Sequence, residues 1–150
     1  MASAHCNGCE FHPGLYYDKE FQIWISKEDD GSLKVGMTDL SQSIAGKIMH
    51  VRVRKPGTRR PSGKPVATVE SAKWAGPIPN FINCVINEGN LRVLENPKLL
   101  NIDPYGAWIA RVTPDLPVDE ALSAFVTGEE AEKGYCARAH NDDIHCERLI

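Results

Sequence analysis

Apolar and polar positions alternate in short runs along most of the chain. Phe21-Gln22-Ile23-Trp24-Ile25 puts Phe21, Ile23 and Ile25 on one face, and Leu33-Lys34-Val35-Gly36-Met37 alternates in the same way. The turn residues Asp29-Asp30-Gly31-Ser32 lie between them, so the two runs are expected to pair as a hairpin. Thr38-Asp39 reads as a helix start, with Leu40, Ile44 and Ala45 at helical spacing and Gly46 as the stop. Ile48 to Arg54 reads as a strand, and residues 55–65 as a long loop. Val66-Ala67-Thr68-Val69 is β-like. Lys73 follows it, and Gly76-Pro77 punctuates the chain directly afterwards, which predicts Lys73 at or near the tip of a β-hairpin. Phe81 to Ile86 is the expected return strand. Leu91 to Leu94 is a strand or short helix, Pro97 to Asp103 a loop or single helical turn, and Ala107 to Val112 a last strand with Trp108 in the core. Beyond Pro114 the pattern becomes helical. One short helix is expected over 119–126. Thr127-Gly128-Glu129-Glu130 reads as a capping box that opens a second, to about His140. The charged residues 141–150 are expected to pack loosely.

The two sides of Lys73 are related. Ala45-Gly46-Lys47-Ile48 recurs as Ala75-Gly76-Pro77-Ile78, and Pro56-Gly57-Thr58 is echoed by Glu88-Gly89-Asn90. Such self-similarity points to two like halves with Lys73 at the joint.

Composition narrows the class. A chain of 150 residues with 42% apolar and 25% charged residues suits one soluble globular domain. A net charge of −3 gives no electrostatic case for nucleic acid. No apolar run approaches the ~20 residues that cross a bilayer, so no membrane is expected. The start, Met1-Ala2-Ser3-Ala4-His5-Cys6, lacks the apolar core of a signal peptide, which makes the cytoplasm the expected location.

Five cysteines without a signal peptide read as reduced thiols or metal ligands and not as a disulfide framework. Cys6-Asn7-Gly8-Cys9 is a C-x-x-C pair, beside His5 and His12. It reads as half a zinc site, as a redox dithiol, or as free thiols on a mobile tail. Cys136, His140, His145 and Cys146 are the candidate partners for a metal, but their spacing is not a standard second zinc knuckle. A flexible segment over 1–14 with free thiols, and no metal, is the expectation. Cys84 reads as a buried small apolar side chain, and His50 as a surface or core-edge histidine. The loop carrying Arg52, Arg54, Lys55, Arg59, Arg60 and Lys64 reads either as a solvated loop or as a docking patch for an acidic partner.

Three motifs in order carry a resemblance. Val35-Gly36-Met37-Thr38-Asp39, Val69-Glu70-Ser71-Ala72-Lys73 and Asn96-Pro97-Lys98-Leu99-Leu100-Asn101-Ile102-Asp103-Pro104-Tyr105-Gly106-Ala107-Trp108 match the V-G-x-T-D, V-E-S-x-K and N-P-x-L-x-N-x-D-P-Y-G…W segments of the H protein of the glycine cleavage system. The resemblance covers roughly residues 15 to 114. It departs at Phe21-Gln22-Ile23-Trp24, where that family usually shows H-E-W. The resemblance implies a mainly β fold, a lipoyl/biotinyl-type barrel-sandwich hybrid of two antiparallel sheets with short peripheral and C-terminal helices. It implies an H-protein-like lipoyl domain over 15–114, with a C-terminal helical segment and tail over 115–150 packed on it. It also implies lipoate attached covalently to Lys73, with Glu70 orienting a ligase or partner and Trp74 offering an apolar face beside the arm. No nucleophile triad, acid pair or phosphate loop accompanies these motifs, so a carrier is expected and not an enzyme, in monomeric form.

Within that group the chain is similar to the lipoate-binding protein of heterodisulfide-reductase-like (sHdr) sulfur oxidation systems. Cys9-Glu10-Phe11, Leu15-Tyr16-Tyr17-Asp18 and Lys73-Trp74-Ala75-Gly76-Pro77 carry that likeness. It implies an arm carrying sulfur-bound intermediates. The implied partners are a heterodisulfide-reductase-like complex, a lipoate-attaching enzyme and a dihydrolipoamide-dehydrogenase-like flavoprotein. The alternative is a glycine cleavage H protein carrying the aminomethyl group. A third is a non-lipoylated binding module that kept the fold.

Overall fold

The computed structural model describes residues 6–148; residues 1–5 of the N-terminal segment lie outside them. The first strands are β1 (Tyr16–Tyr17), β2 (Ile23–Lys27) and β3 (Leu33–Met37), followed by helix α1 (Asp39–Ala45). Next come β4 (Ile48–Val53), β5 (Arg59–Arg60), β6 (Ala67–Ser71), β7 (Ala75–Pro77) and β8 (Cys84–Gly89). The chain closes with α2 (Leu91–Glu95), α3 (Leu99–Ile102), β9 (Ala110–Pro114), α4 (Val118–Ala121) and α5 (Gly128–Asn141). Two antiparallel sheets result, one of six strands in the order β1-β2-β3-β9-β8-β5 and one of three in the order β4-β6-β7. The fold is the expected mainly β sandwich with short helices.

The main core lies between the sheets. Ile23, Ile25, Leu33 and Val35 from one side meet Val51, Ala67 and Val69 from the other. The expected hairpin is present, with Ile23 opposite Met37 and Ile25 opposite Val35. Phe21 does not share its face. The buried Asp18 carboxylate accepts from the backbone N–H groups of Gln22 (2.8 Å) and Ile23 (2.9 Å), and the tight turn it organises leaves Phe21 at φ 59°. Its ring points instead into a second core with Tyr17 and Tyr135.

That second core changes the picture of the chain ends. Cys6, Cys9 and Phe11 are buried in it, together with Trp24, Leu40, Ala131 and Ala139. Cys6 is bonded to Cys136 and Cys9 to Cys146, with Cα–Cα distances of 4.5 and 4.7 Å. The free-thiol, redox-pair and zinc readings of these four cysteines are therefore corrected. Residues 6–14 are packed where a mobile segment was expected, and the tail is tied down as well. Cys146 N–H donates to the Asn7 carbonyl (3.1 Å), and Arg148 pairs with Glu10 and with Asp39. Sequence spacing could not show this, because the paired residues lie 130 and 137 positions apart.

The motifs have local causes. Thr38 caps α1, its hydroxyl accepting from Ser41 N–H, and Gly46 ends the helix at φ 80°. Trp24 Nε1 donates to the Pro104 carbonyl at 3.0 Å. The Tyr105 hydroxyl bonds the Glu10 carbonyl (2.6 Å) and the Tyr135 hydroxyl (3.1 Å), so the D-P-Y-G turn holds the second core together. Three expectations shift. The 81–86 run is not the partner of β6; the returning strand is β7, which contains Gly76 and Pro77 and, as an edge strand, tolerates the proline. The expected helix over 119–126 stops at Ala121, since Val126 bridges to Tyr17. Thr127 stands at the N-cap of α5, but its hydroxyl donates to the Leu15 carbonyl (2.8 Å) and not into a capping box.

Candidate functional site

The turn between β6 and β7 is closed by Ser71. Its N–H and its hydroxyl both donate to the Trp74 carbonyl, at 2.7 and 3.1 Å. Val69 and Ser71 face inward, which anchors the hairpin, while Ala72, Lys73 and Trp74 are exposed. Lys73 makes no ion pair or hydrogen bond among the described residues. Its aliphatic chain lies against Gly46 at the end of α1.

The corner under Lys73 is fixed by one buried side chain. Asn101, fully buried on α3, accepts from Ile48 N–H (2.8 Å) and donates to the Gly46 carbonyl (2.8 Å) and to Gln42 Oε1 (3.0 Å). It joins α3, the end of α1 and the start of β4, and every buried side-chain polar atom among the described residues is satisfied. The N-P-x-L-x-N motif thus supports the platform that carries the lysine.

A cleft of about 450 Å³ opens beside the turn, with Lys73 on its wall. Its apolar surface comes from Ile23, Met37, Ile44, Trp74 and Ile78. Gln22, Ser41 and Arg138 are its other polar groups. Trp74 is 44% exposed and its indole lies over Gly76. Glu70 is not part of this cleft. It lies on the outer face of the three-stranded sheet, 3.7 Å from His50 Nε2. Of the residues expected at the site, the structure therefore brings Lys73 and Trp74 together and leaves Glu70 outside. An exposed, unpaired amine bordering an apolar slot is the surrounding that a long, flexible acyl arm on Lys73 would fit. Sequence reasoning missed the site roles of Gly46, which lies against Lys73 at the end of α1, and of Ile44 and Arg138, which line the same cleft from α1 and α5. Gly46 carried a signal in its echo at Gly76; the other two carried none.

Elsewhere the described residues offer little chemistry. No group of three or more His, Cys, Asp or Glu among them is placed to hold a metal ion. No helix among them is long and apolar enough to cross a membrane.

Comparison with known proteins gives the context of this turn. Residues 15–137 match the family model described as Glycine cleavage H-protein. The chain belongs to the glycine cleavage H-protein family. It is 42% identical over 146 residues to glycine cleavage system H protein 3 of Aquifex aeolicus, covering 95% of this chain and 91% of that protein. It is 38% identical over 149 residues to a probable glycine cleavage system H protein 2 of Sulfurisphaera tokodaii, covering 97% and 99%. The crystal structure of a glycine cleavage system H protein from Mycobacterium marinum superposes with a TM-score of 0.70 at 22% identity, over 89% of this chain and 100% of that one. Glycine cleavage H-proteins carry lipoate covalently on a lysine, and they are carriers, not catalysts. The H-protein fold accounts for the two antiparallel sheets with short helices.

Proposed function

We propose that this H-protein family chain is a lipoyl carrier modified at Lys73. The observation that carries the reading is the unpaired, exposed Lys73 amine at a β-turn tip beside an apolar cleft. Amide formation removes the hydrated ammonium charge, so the modified side chain can pass along the apolar wall of Ile44 and Trp74. When bound, the lipoyl group supplies a dithiolane whose sulfurs take up and release a cargo. Ser71 keeps the turn closed, Gly46 and Asn101 hold its base, and the apolar wall of the cleft gives the arm a surface to lie on. Tethering gives a high local concentration at each partner site without tight docking.

The partners are a lipoate-attaching enzyme, a dihydrolipoamide-dehydrogenase-like flavoprotein and the enzymes that load and unload the arm. The cytoplasm remains the proposed location. A cationic face suits such encounters: residues 40–69 contain no Asp or Glu, and Arg52, Arg54 and Lys55 are exposed without an ion pair.

For the cargo, the names of the relatives support the aminomethyl group of glycine cleavage. A sulfur-bound cargo, exchanged with a heterodisulfide-reductase-like complex, is the second reading. It is favoured by the make-up of the cleft, whose lining among the described residues includes Trp74 and Arg138 but no carboxylate.

The test is the mass of the Lys73 peptide from protein purified from its own host under non-reducing conditions. A lipoyl mass supports the carrier. An added aminomethyl or sulfur adduct separates the two cargoes. An unmodified Lys73 in a host that lipoylates its other proteins, together with full activity of Lys73→Arg, would leave only a non-lipoylated binding module.

A further inference from the structure

The charge inside the cleft is one-sided. Among the described residues its lining contains no Asp or Glu, and once Lys73 is acylated the one formal cation left among them is Arg138. Two carboxylates approach from outside. Glu20 accepts from Gln22 Nε2 at 3.2 Å and lines the neighbouring hollows; Asp142 sits 3.4 Å from Arg138 Nε, more than half exposed. Arg138 also donates through Nη1 to the Glu20 carbonyl, which holds the guanidinium against the β1–β2 turn. Its Nη2 has no partner among the described residues. An exposed pair such as Arg138–Asp142 is weak, so it does not cancel the guanidinium as a partner for a ligand.

We propose that the cleft beside Lys73 seats an arm bearing an anionic or neutral adduct and turns away a cationic one, with Arg138 as the residue that sets this preference. The inference rests on the carrier reading of Lys73 and names the chemical class of its cargo. An ammonium seated in the cleft would lose its hydration, meet no carboxylate among the described lining residues and lie beside a lining arginine. A carboxylate or a sulfur oxyanion at the end of a thioether or persulfide would instead gain a charge-assisted hydrogen bond, with the apolar wall covering its stem. Gln22 adds a neutral amide, which accommodates either an anion or an uncharged end. An aminomethyl cargo, protonated at neutral pH, would then ride outside the cleft.

The experiment uses the holoprotein. A lipoate ligase modifies Lys73, a dihydrolipoamide dehydrogenase reduces the arm, and both arm thiols are alkylated with iodoacetate, iodoacetamide or 2-bromoethylamine. Mass spectrometry verifies that the alkyl groups sit on the arm alone. Seating is read from the Trp74 indole N–H resonance and from contacts between the arm and the Ile44 and Met37 methyl groups, with Trp108 as the control. The carboxymethyl arm is expected to occupy the cleft about tenfold more than the aminoethyl arm, with the carbamoylmethyl arm between them. Arg138→Gln should abolish the difference and Arg138→Lys should keep most of it. Equal or better seating of the aminoethyl arm, or an unchanged preference in a folded Arg138→Gln protein, would overturn the proposal while leaving the carrier intact. Failure of the ligase to modify Lys73 would sink the carrier reading and this one with it.

Discussion

The side chain of Lys73 lies across Gly46, so closely that a Cβ on Gly46 would stand 2.9 Å from Lys73 Cε. The contact joins the tip of one hairpin to the end of α1. It also explains the stop signal there, since Gly46 combines φ 80° with the absence of a side chain. Gly46→Ala is expected to cost about 1 kcal/mol from the backbone and to displace Lys73. Thermal denaturation should show a drop of a few degrees, and the kcat/KM of a lipoate ligase on this variant should fall. An unchanged kcat/KM would separate the two residues.

Asn101 is the second support of the same corner. Asn101→Leu would strip Ile48 N–H and the Gly46 carbonyl of their partner inside the protein. A loss of about 2–4 kcal/mol is expected, read by urea denaturation. Amide exchange at Ile48 should speed up more than at Val69, which a general loss of packing would not produce.

The two disulfides close loops of 130 and 137 residues around nearly the whole chain. Reducing them, or replacing Cys6 and Cys9 by Ala, should lower stability by about 2–5 kcal/mol for each bond. The main core between the sheets does not include these cysteines. Proteolysis of the reduced protein should therefore begin in residues 6–14 and 141–148, with Lys73 still open to ligase. Early cleavage in β2 or β3 would contradict this division.

Cys84 is the one free cysteine among the described residues, and it is buried on β8. Burial pushes its thiol from 9.0 to about 11. Iodoacetamide at pH 8 should label no cysteine in the folded protein and one in denaturant. The linkage has a definite sign. Above pH 9 the unfolded chain gives up this proton while the folded chain keeps it to about pH 11. The stability present below pH 9 is therefore lost as pH rises through this window, and Cys84→Ala should flatten that slope.

Arg52 lies on β4, an edge strand of the three-stranded sheet, Arg54 follows directly after its last residue, and both are exposed. Replacing both by Glu should leave the melting temperature within a degree or two, since neither makes an ion pair. The KM of partner enzymes for the carrier should rise about tenfold at low salt, and the difference should shrink at high salt. A KM that stays constant in both conditions would mean this face is only solvated.

Much of the site was legible in the chain because its signals are local. The alternation of Leu33 to Met37, the Thr38 cap, the Gly46 stop and the Val69-to-Lys73 run each act within a few residues, and each predicts its own element. The D-P-Y-G motif was legible as a pattern, but its work was not. Its tyrosine hydroxyl reaches a carbonyl 95 positions away.

The sequence by itself determined a mainly β chain with a lysine at an exposed turn, because strand periodicity and turn chemistry are written in neighbouring residues. The tertiary structure alone decided that four cysteines pair across the two ends and that Arg138 lines the cleft beside Lys73. Those facts depend on how α5 and the N-terminal segment pack on the second core. That packing rests on contacts between residues 95, 130 and 137 positions apart, and no local pattern encodes it.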